Sequence, residues 1–182
     1  MPYWNSRGLR GSTLEEFVNL TNEEYLRCGL AVIQKLPTSI KPIKLDKQKG
    51  VITLAYFDQK STVDYMGNIQ GIPVCFDVKE TSRDSLPISN IHGHQIEFME
   101  QFAKQSGLSY IIVFFSKIDR YFLIPFEDIK YYWDKSRHGG RKSISWKVLD
   151  TQFEIKREGV FLLHYLQAVN AYLNKIKEDE HK

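Results

Sequence analysis

Hydrophobic positions along this 182-residue chain change their period several times, and each change predicts an element. Leu14, Phe17, Val18 and Leu26 recur at helical spacing, with Ser12 or Thr13 where an N-cap belongs and Glu15 and Glu16 in the first turn. A helix to about Cys28 is expected. From Pro37 to Gly50 the periodicity disappears, and two prolines among lysines predict a projecting loop or ribbon. Val51 to Tyr56, Thr62 to Ile69 and Ile72 to Lys79 read as strands. Ile96, Met99, Phe102 and Ala103 give a helix from about Asn90 to Gln105. The β-branched and aromatic run Ser109 to Ser116 predicts a buried strand, and Tyr121 to Ile124 another. Pro125 suits the start of a short helix through Asp134. Leu162, Leu166, Val169, Leu173 and Ile176 form the stripe of a last helix, Val160 to Ile176, packed on the core or on a second subunit. A strand-rich centre with helices before, between and after predicts a mixed α/β sheet.

The strand from Ile72 to Lys79 carries the chemistry. Period two sends Ile72, Val74, Phe76 and Val78 to one face and Pro73, Cys75, Asp77 and Lys79 to the other. One face fits a core. The other bears an acid and a base about 7 Å apart along the strand. If Gln70-Gly71 is the turn, Ile69 faces Ile72 and Asp64 faces Asp77. Opposed carboxylates about 5 Å apart repel, and a hard cation such as Mg²⁺ removes that penalty. A turn at Gly67-Asn68 would instead separate the acids. Two carboxylates and an amine on one sheet can activate water against a phosphodiester. A solvated hairpin with ordinary surface acids is the plainer alternative.

Bulk composition adds limits. The length suits one domain with a possible appendage, and 42% apolar residues suffice for an ordinary core. Net charge is only +3, so the distribution matters more than the total. Lys35 to Lys49 gathers lysines, Lys135 to Lys147 holds basic residues and no acid, and Arg7 and Arg10 lie near the start. Such patches suit a phosphate backbone or simply keep a surface soluble. Cys28 and Cys75 are too few for a disulfide framework or a zinc site. No apolar signal core and no membrane-length run is present, so a cytoplasmic, nucleoid-associated setting with no membrane contact is expected.

Several segments in fixed order carry a resemblance. They are Gly11-Ser12-Thr13-Leu14-Glu15, Asn19, Thr21-Asn22 and Tyr25, then Lys35-Leu36-Pro37-Thr38 and Ala55-Tyr56-Phe57. Ser61-Thr62-Val63-Asp64-Tyr65-Met66-Gly67, Phe76-Asp77-Val78-Lys79-Glu80-Thr81 and His92-Gly93-His94-Gln95-Ile96 follow. Tyr132-Trp133-Asp134 and Gly140-Arg141-Lys142-Ser143-Ile144 close the series. Over Gly11 to Ile144 the chain resembles the RecU family of Holliday-junction resolvases, within the restriction-endonuclease-like PD-(D/E)xK nucleases. Two departures stand out. Asp77 replaces the family's usual Glu, a shorter acid that the broader motif accepts. The segment after about Glu154 differs from the expected family ending, so dimer or partner contacts would differ there.

The resemblance implies a restriction-endonuclease-like fold over residues 1–182, with a basic stalk at about 37–50 that enters the centre of a four-way junction. It implies a Mg²⁺-dependent endonuclease (Mn²⁺ a substitute) that resolves junctions in recombination and repair. Asp64 and Asp77 are the expected metal ligands, with the Val78 carbonyl a further oxygen. Lys79 would orient or activate water. Gln95 would bind a water or a phosphate oxygen. Lys41, Lys44 and Lys47 on the stalk, with Arg7, Arg10, Arg141 and Lys142, are the expected DNA contacts. Glu15 and Glu80 rank lower, Glu15 serving either the metal through water or the helix dipole. His92 and His94, expected on different faces of a helix, do not suit a zinc pair. Two symmetric cuts imply a homodimer, and RecA and a branch-migration helicase are partners by resemblance. The alternatives are a recombination accessory protein that binds DNA without cutting, or a nuclease acting on other branched DNA.

Overall fold

The computed structural model describes residues 12–57 and 62–180. Its centre is a six-stranded sheet of β1 (Val32–Lys35), β4 (Tyr65–Ile69), β5 (Ile72–Thr81), β7 (Leu108–Phe115), β8 (Arg120–Pro125) and β10 (Glu154–Ile155), in the order β1-β4-β5-β7-β8-β10. The numbers between belong to a ribbon of β2 (Ile40–Asp46) and β3 (Val51–Phe57) and to a short pair, β6 (Ser85–Pro87) with β9 (Ser143–Ser145). β5 and β7 run parallel and every other pair in the sheet is antiparallel. The expected mixed sheet flanked by helices is what the chain forms.

The β4–β5 turn fixes the register. Gln70 and Gly71 both have positive φ, 49° and 95°, as a two-residue hairpin turn requires. Asn68 Oδ1 accepts the Gly71 N–H at 2.7 Å and pins the turn. Ile69 then pairs with Ile72 and Tyr65 with Phe76, the register expected from the Gln70-Gly71 turn.

Both faces of β5 are covered, which sets aside the plainer alternative of a solvated hairpin with ordinary surface acids. On one side Tyr65, Phe76 and Tyr110 stack with centroids 4.9 Å apart. Leu14 and Val18 of α1 (Ser12–Arg27) and Ala168 and Val169 of α4 (Leu166–Glu180) share that core. On the other side Cys75, Ile111 and Val113 pack with Ile96 and Met99 of α2 (Gly93–Lys104) and Ile129 of α3 (Phe126–Arg137). β5 reads as alternating because its second face holds Cys75 and Asp77, not because that face is wet.

Other boundaries differ for physical reasons. Leu26 is exposed and Tyr25 takes its expected place in the core, close enough for its hydroxyl to bond Nδ1 of His164 at 3.0 Å. The last helix begins at Leu166, not Val160. The Leu163 N–H donates to Thr21 Oγ1 at 3.1 Å and the His164 N–H to the Lys156 carbonyl at 2.9 Å, so these donors serve other segments instead of a helix. α2 starts at Gly93, after a 3-10 turn at Ile88–Asn90. Val51 to Tyr56 does not join the central sheet. It is the second arm of the ribbon, so the projecting element expected at about 37–50 is a hairpin spanning Ile40–Phe57. Asp46 Oδ1 accepts the N–H groups of Gln48 and Lys49, and Gly50 has φ 65°, which shapes the ribbon tip. No helix among the described residues is long and apolar enough to cross a membrane.

Candidate active site

The centre of interest lies where two strands part. β4 and β5 pair up to Tyr65 and Phe76, and the next positions are Asp64 and Asp77. Residues 62–64 are not in a strand, contrary to the expected start at Thr62. The Leu36 N–H donates to the Asp64 carbonyl at 2.8 Å, so this segment turns toward the end of β1. Freed from the ladder, the Asp64 side chain reaches across, and its Oδ2 accepts the Val78 N–H at 3.0 Å. A carboxylate thus stands in for the lost strand partner.

Asp77 is fully buried. Its Oδ2 accepts from Gln95 Nε2 at 2.9 Å and pairs with Lys79 Nζ. Its Oδ1 is buried with no donor directed at it. Burial first, then the neighbouring Asp77 carboxyl, raise the Asp64 carboxyl to about 7, against weaker opposing pulls from the Val78 N–H and Lys79. One lysine answers two acids.

Gln95 reaches Asp77 because of where α2 begins. It is the third residue of the helix, and its Oε1 accepts the N–H of the N-cap residue His92 at 3.0 Å. That bond occupies the carbonyl end and points the amide NH₂ at Asp77, so Gln95 steadies the acid. His92 precedes the helix, and its ring stacks on His94 with centroids 5.5 Å apart. The two rings therefore share a side, which corrects the expectation of different faces.

The remaining candidates are dispersed. Glu15 pairs with Lys35 at 2.5 Å on the rim beside Asp64. Glu80 lines a polar cavity just past Lys79. Lys41 and Lys44 lie on the ribbon and Lys47 at its tip, all exposed. Arg141 and Lys142 are exposed before β9. Arg7 and Arg10 lie outside the described residues. Sequence reasoning missed Arg83 and Asn90, which line the same cavity as Glu80. The signal available was the Thr81-Ser82-Arg83 run directly after Lys79-Glu80.

The donor set fits a hard cation. Among the described residues no group of three or more His, Cys, Asp and Glu is placed to hold a metal. Two neighbouring carboxylates with one undonated oxygen suit a hard divalent cation, which can take one or two carboxylates and complete its shell with water.

A mixed sheet that presents two acids, a lysine and an amide at a strand fork belongs to the class of α/β proteins equipped for phosphodiester chemistry. The particular family is explicit in the sequence: residues 9–171 match the model for RecU, Recombination protein U, and the chain belongs to that family. The match continues well beyond Glu154, so the expected departure of the C-terminal segment does not hold. Similar proteins include a Holliday junction resolvase RecU of Pediococcus pentosaceus, 39% identical over 93% of this chain and 87% of that protein. The one of Geobacillus sp. is 36% identical over 97% and 87%, and that of Lactiplantibacillus plantarum 43% over 75% and 68%. Among solved structures, Archaeoglobus fulgidus Hjc, a Holliday junction resolvase, overlaps 62% of this chain and 74% of its own. Its TM-score is 0.37 at 8% identity, too slight a likeness to define the fold.

Proposed function

We propose that this protein is a Holliday junction resolvase, cutting four-way DNA by hydrolysis of phosphodiester bonds. The observation that carries the reading is the Asp64–Asp77 pair, two carboxyls at the open end of the β4–β5 pairing with a single lysine beside them. Family membership supports the substrate.

Asp64 and Asp77, with the Val78 carbonyl, would hold Mg²⁺ or Mn²⁺, which when bound supplies neutralisation of phosphate charge. The chain's own residues do the rest. Lys79 is only 17% exposed, so its ammonium lies at the mouth of the site, where it meets the phosphate and orients the attacking water. Gln95 keeps Asp77 from rotating, since both of its amide atoms are already bonded. The apolar packing beneath β5 excludes bulk water and strengthens every charge interaction above it.

The ribbon serves as the stalk. It pairs with no strand of the central sheet and carries Lys41, Lys44 and Lys47 beside exposed Leu54 and Tyr56. Such a surface meets phosphates and unstacked bases at a branch point. Two cuts of opposite strands need two sites, so the active species is a homodimer with a twofold axis.

The test is cleavage of an end-labelled mobile four-way junction in Mg²⁺, beside a linear duplex of the same sequence and the Asp77→Asn protein. Paired nicks in the junction alone, absent with the variant, are expected. Tight binding without any cut in Mg²⁺ or Mn²⁺ would replace this reading with that of an accessory protein.

A further inference from the structure

Most lysines and arginines outside the ribbon have a partner. Arg27 bonds Glu24, Lys35 bonds Glu15, Lys117 bonds Asp84, Arg120 bonds Glu154 and Lys130 bonds Asp134. Arg83, Arg141 and Lys142 are different. All are exposed, and among the described residues none has a side-chain hydrogen bond, ion pair or ring beneath it. They flank one short pair of strands. Arg83 lies beyond one end of the antiparallel β6–β9 pair and Lys142 beyond the other, where the Ile88 N–H donates to the Lys142 carbonyl at 3.0 Å, and the chain from Ile88 leads on to Asn90, which lines a cavity with Arg83.

A cavity of about 320 Å³ opens in this neighbourhood, lined by Glu80, Thr81, Ser82, Arg83, Ser89 and Asn90, with Pro87 beside them. Its walls are extensions of the catalytic centre in both directions along the chain. One wall continues β5 directly from Lys79. The other ends at Asn90, two residues before the His92 N–H that orients Gln95. Thr81 also points to the same face of β5 as Asp77 and Lys79.

The turn is held rigidly. Thr81 Oγ1 accepts the Arg83 N–H at 3.2 Å and donates to the Ser85 carbonyl at 3.3 Å, and the Thr81 carbonyl accepts the Ser116 N–H at 3.0 Å. Those bonds leave the Ser82 hydroxyl, the Arg83 guanidinium, the Ser89 hydroxyl and the Asn90 amide without protein partners among the described residues. Donors of this kind around an unpaired guanidinium are the chemistry that takes a phosphate diester. Glu80 on the same wall discourages a second anion and favours a single phosphate over a polyanion.

We propose that this cavity is a subsite for one phosphate of the cleaved strand, flanking the scissile one, with Arg83 as its charged contact. Arg141 and Lys142 then take phosphates farther along the same backbone. The subsite rests on the resolvase reading, and it sets where along the strand the cut falls.

The test uses the full-length protein and junctions carrying one methylphosphonate, an uncharged phosphate replacement, at each flanking position in turn. Binding is measured in EDTA and single-turnover cutting in Mg²⁺. For the wild-type protein one flanking position costs about fivefold or more in affinity. For Arg83→Gln, which removes no internal contact, that penalty disappears and the slope of log affinity against log salt falls by about 0.9. Asn90→Ala loses about twofold to threefold at the same position. If Arg83→Gln keeps the wild-type slope and penalty, or its slope falls while every positional penalty persists, the subsite is wrong. A wild-type protein that neither binds nor cuts junctions defeats the resolvase reading and the subsite with it. Normal wild-type cutting with an indifferent Arg83→Gln defeats the subsite alone.

Discussion

β5 and the β2–β3 ribbon depart from the ordinary burial of side chains in opposite directions. β5 buries a carboxylate completely at Asp77, where an acid without full hydrogen bonding costs several kcal/mol. The ribbon leaves Ile43, Leu54, Tyr56 and Phe57 in water, on a two-stranded unit that is marginal by itself. Neither arrangement favours stability. On the proposed function each becomes favourable when something arrives: a cation for the buried acids, unstacked DNA for the exposed apolar ribbon. Places where sequence and stability disagree are places of function.

The comparison can be broken most severely at Asp77. Asp77→Asn should lower single-turnover junction cutting by about 10³-fold or more, some 4 kcal/mol of barrier, while junction affinity in EDTA stays within about threefold. Retained cutting would show that the buried acid is structural.

Next in size is a pH effect. Asp64 titrates near 7 when folded and near 3.9 when unfolded, so the folded state holds its proton more tightly. This contribution is fully present below about pH 4 and is lost as pH rises through about 7. Without metal, stability should fall by about 2–4 kcal/mol across that window relative to Asp64→Asn. Mg²⁺ should recover it at the upper end, where both acids are ionised. Equal slopes for the two proteins in chelator-treated urea melts would sink the assignment.

The ribbon should show the converse. Replacing Ile40–Phe57 by a short Gly-Ser linker should leave the melting temperature within a few degrees, because no central strand loses a partner. Junction affinity should fall about tenfold or more, roughly 1.4 kcal/mol or above. An unfolded deletion protein would mean that the ribbon is a support of the sheet.

The smallest change sharpens the contrast. Leu54→Ser, on the ribbon, should alter stability by no more than about 0.5 kcal/mol. Phe76→Leu, in the aromatic stack beneath the acids, should cost about 1–2 kcal/mol in the same urea titration.

Much of this was legible one residue at a time. Gln70-Gly71 was one of two turns the sequence offered, and it is the one that sets the register bringing Asp64 beside Asp77. Gln95 was expected near the start of the helix after β5, and the capping bond from the His92 N–H to Gln95 Oε1 is what turns its amide back to Asp77. Val51 to Tyr56 misled because a strand signal does not say which sheet it joins. Val160 to Leu163 misled because a helical stripe cannot foresee that Thr21, 142 residues away from Leu163, will claim a backbone donor.

By itself the sequence determined the local geometry: turn, alternation, and the identity of the acids, lysine and amide. Those follow from steric and hydrogen-bonding preferences within a few residues. Only the tertiary structure decided that both faces of β5 are buried, that Asp64 turns its side chain onto Val78, and that Arg83 stands unpaired beside the centre. Burial and charge pairing depend on which distant segments meet, and no local pattern records that meeting.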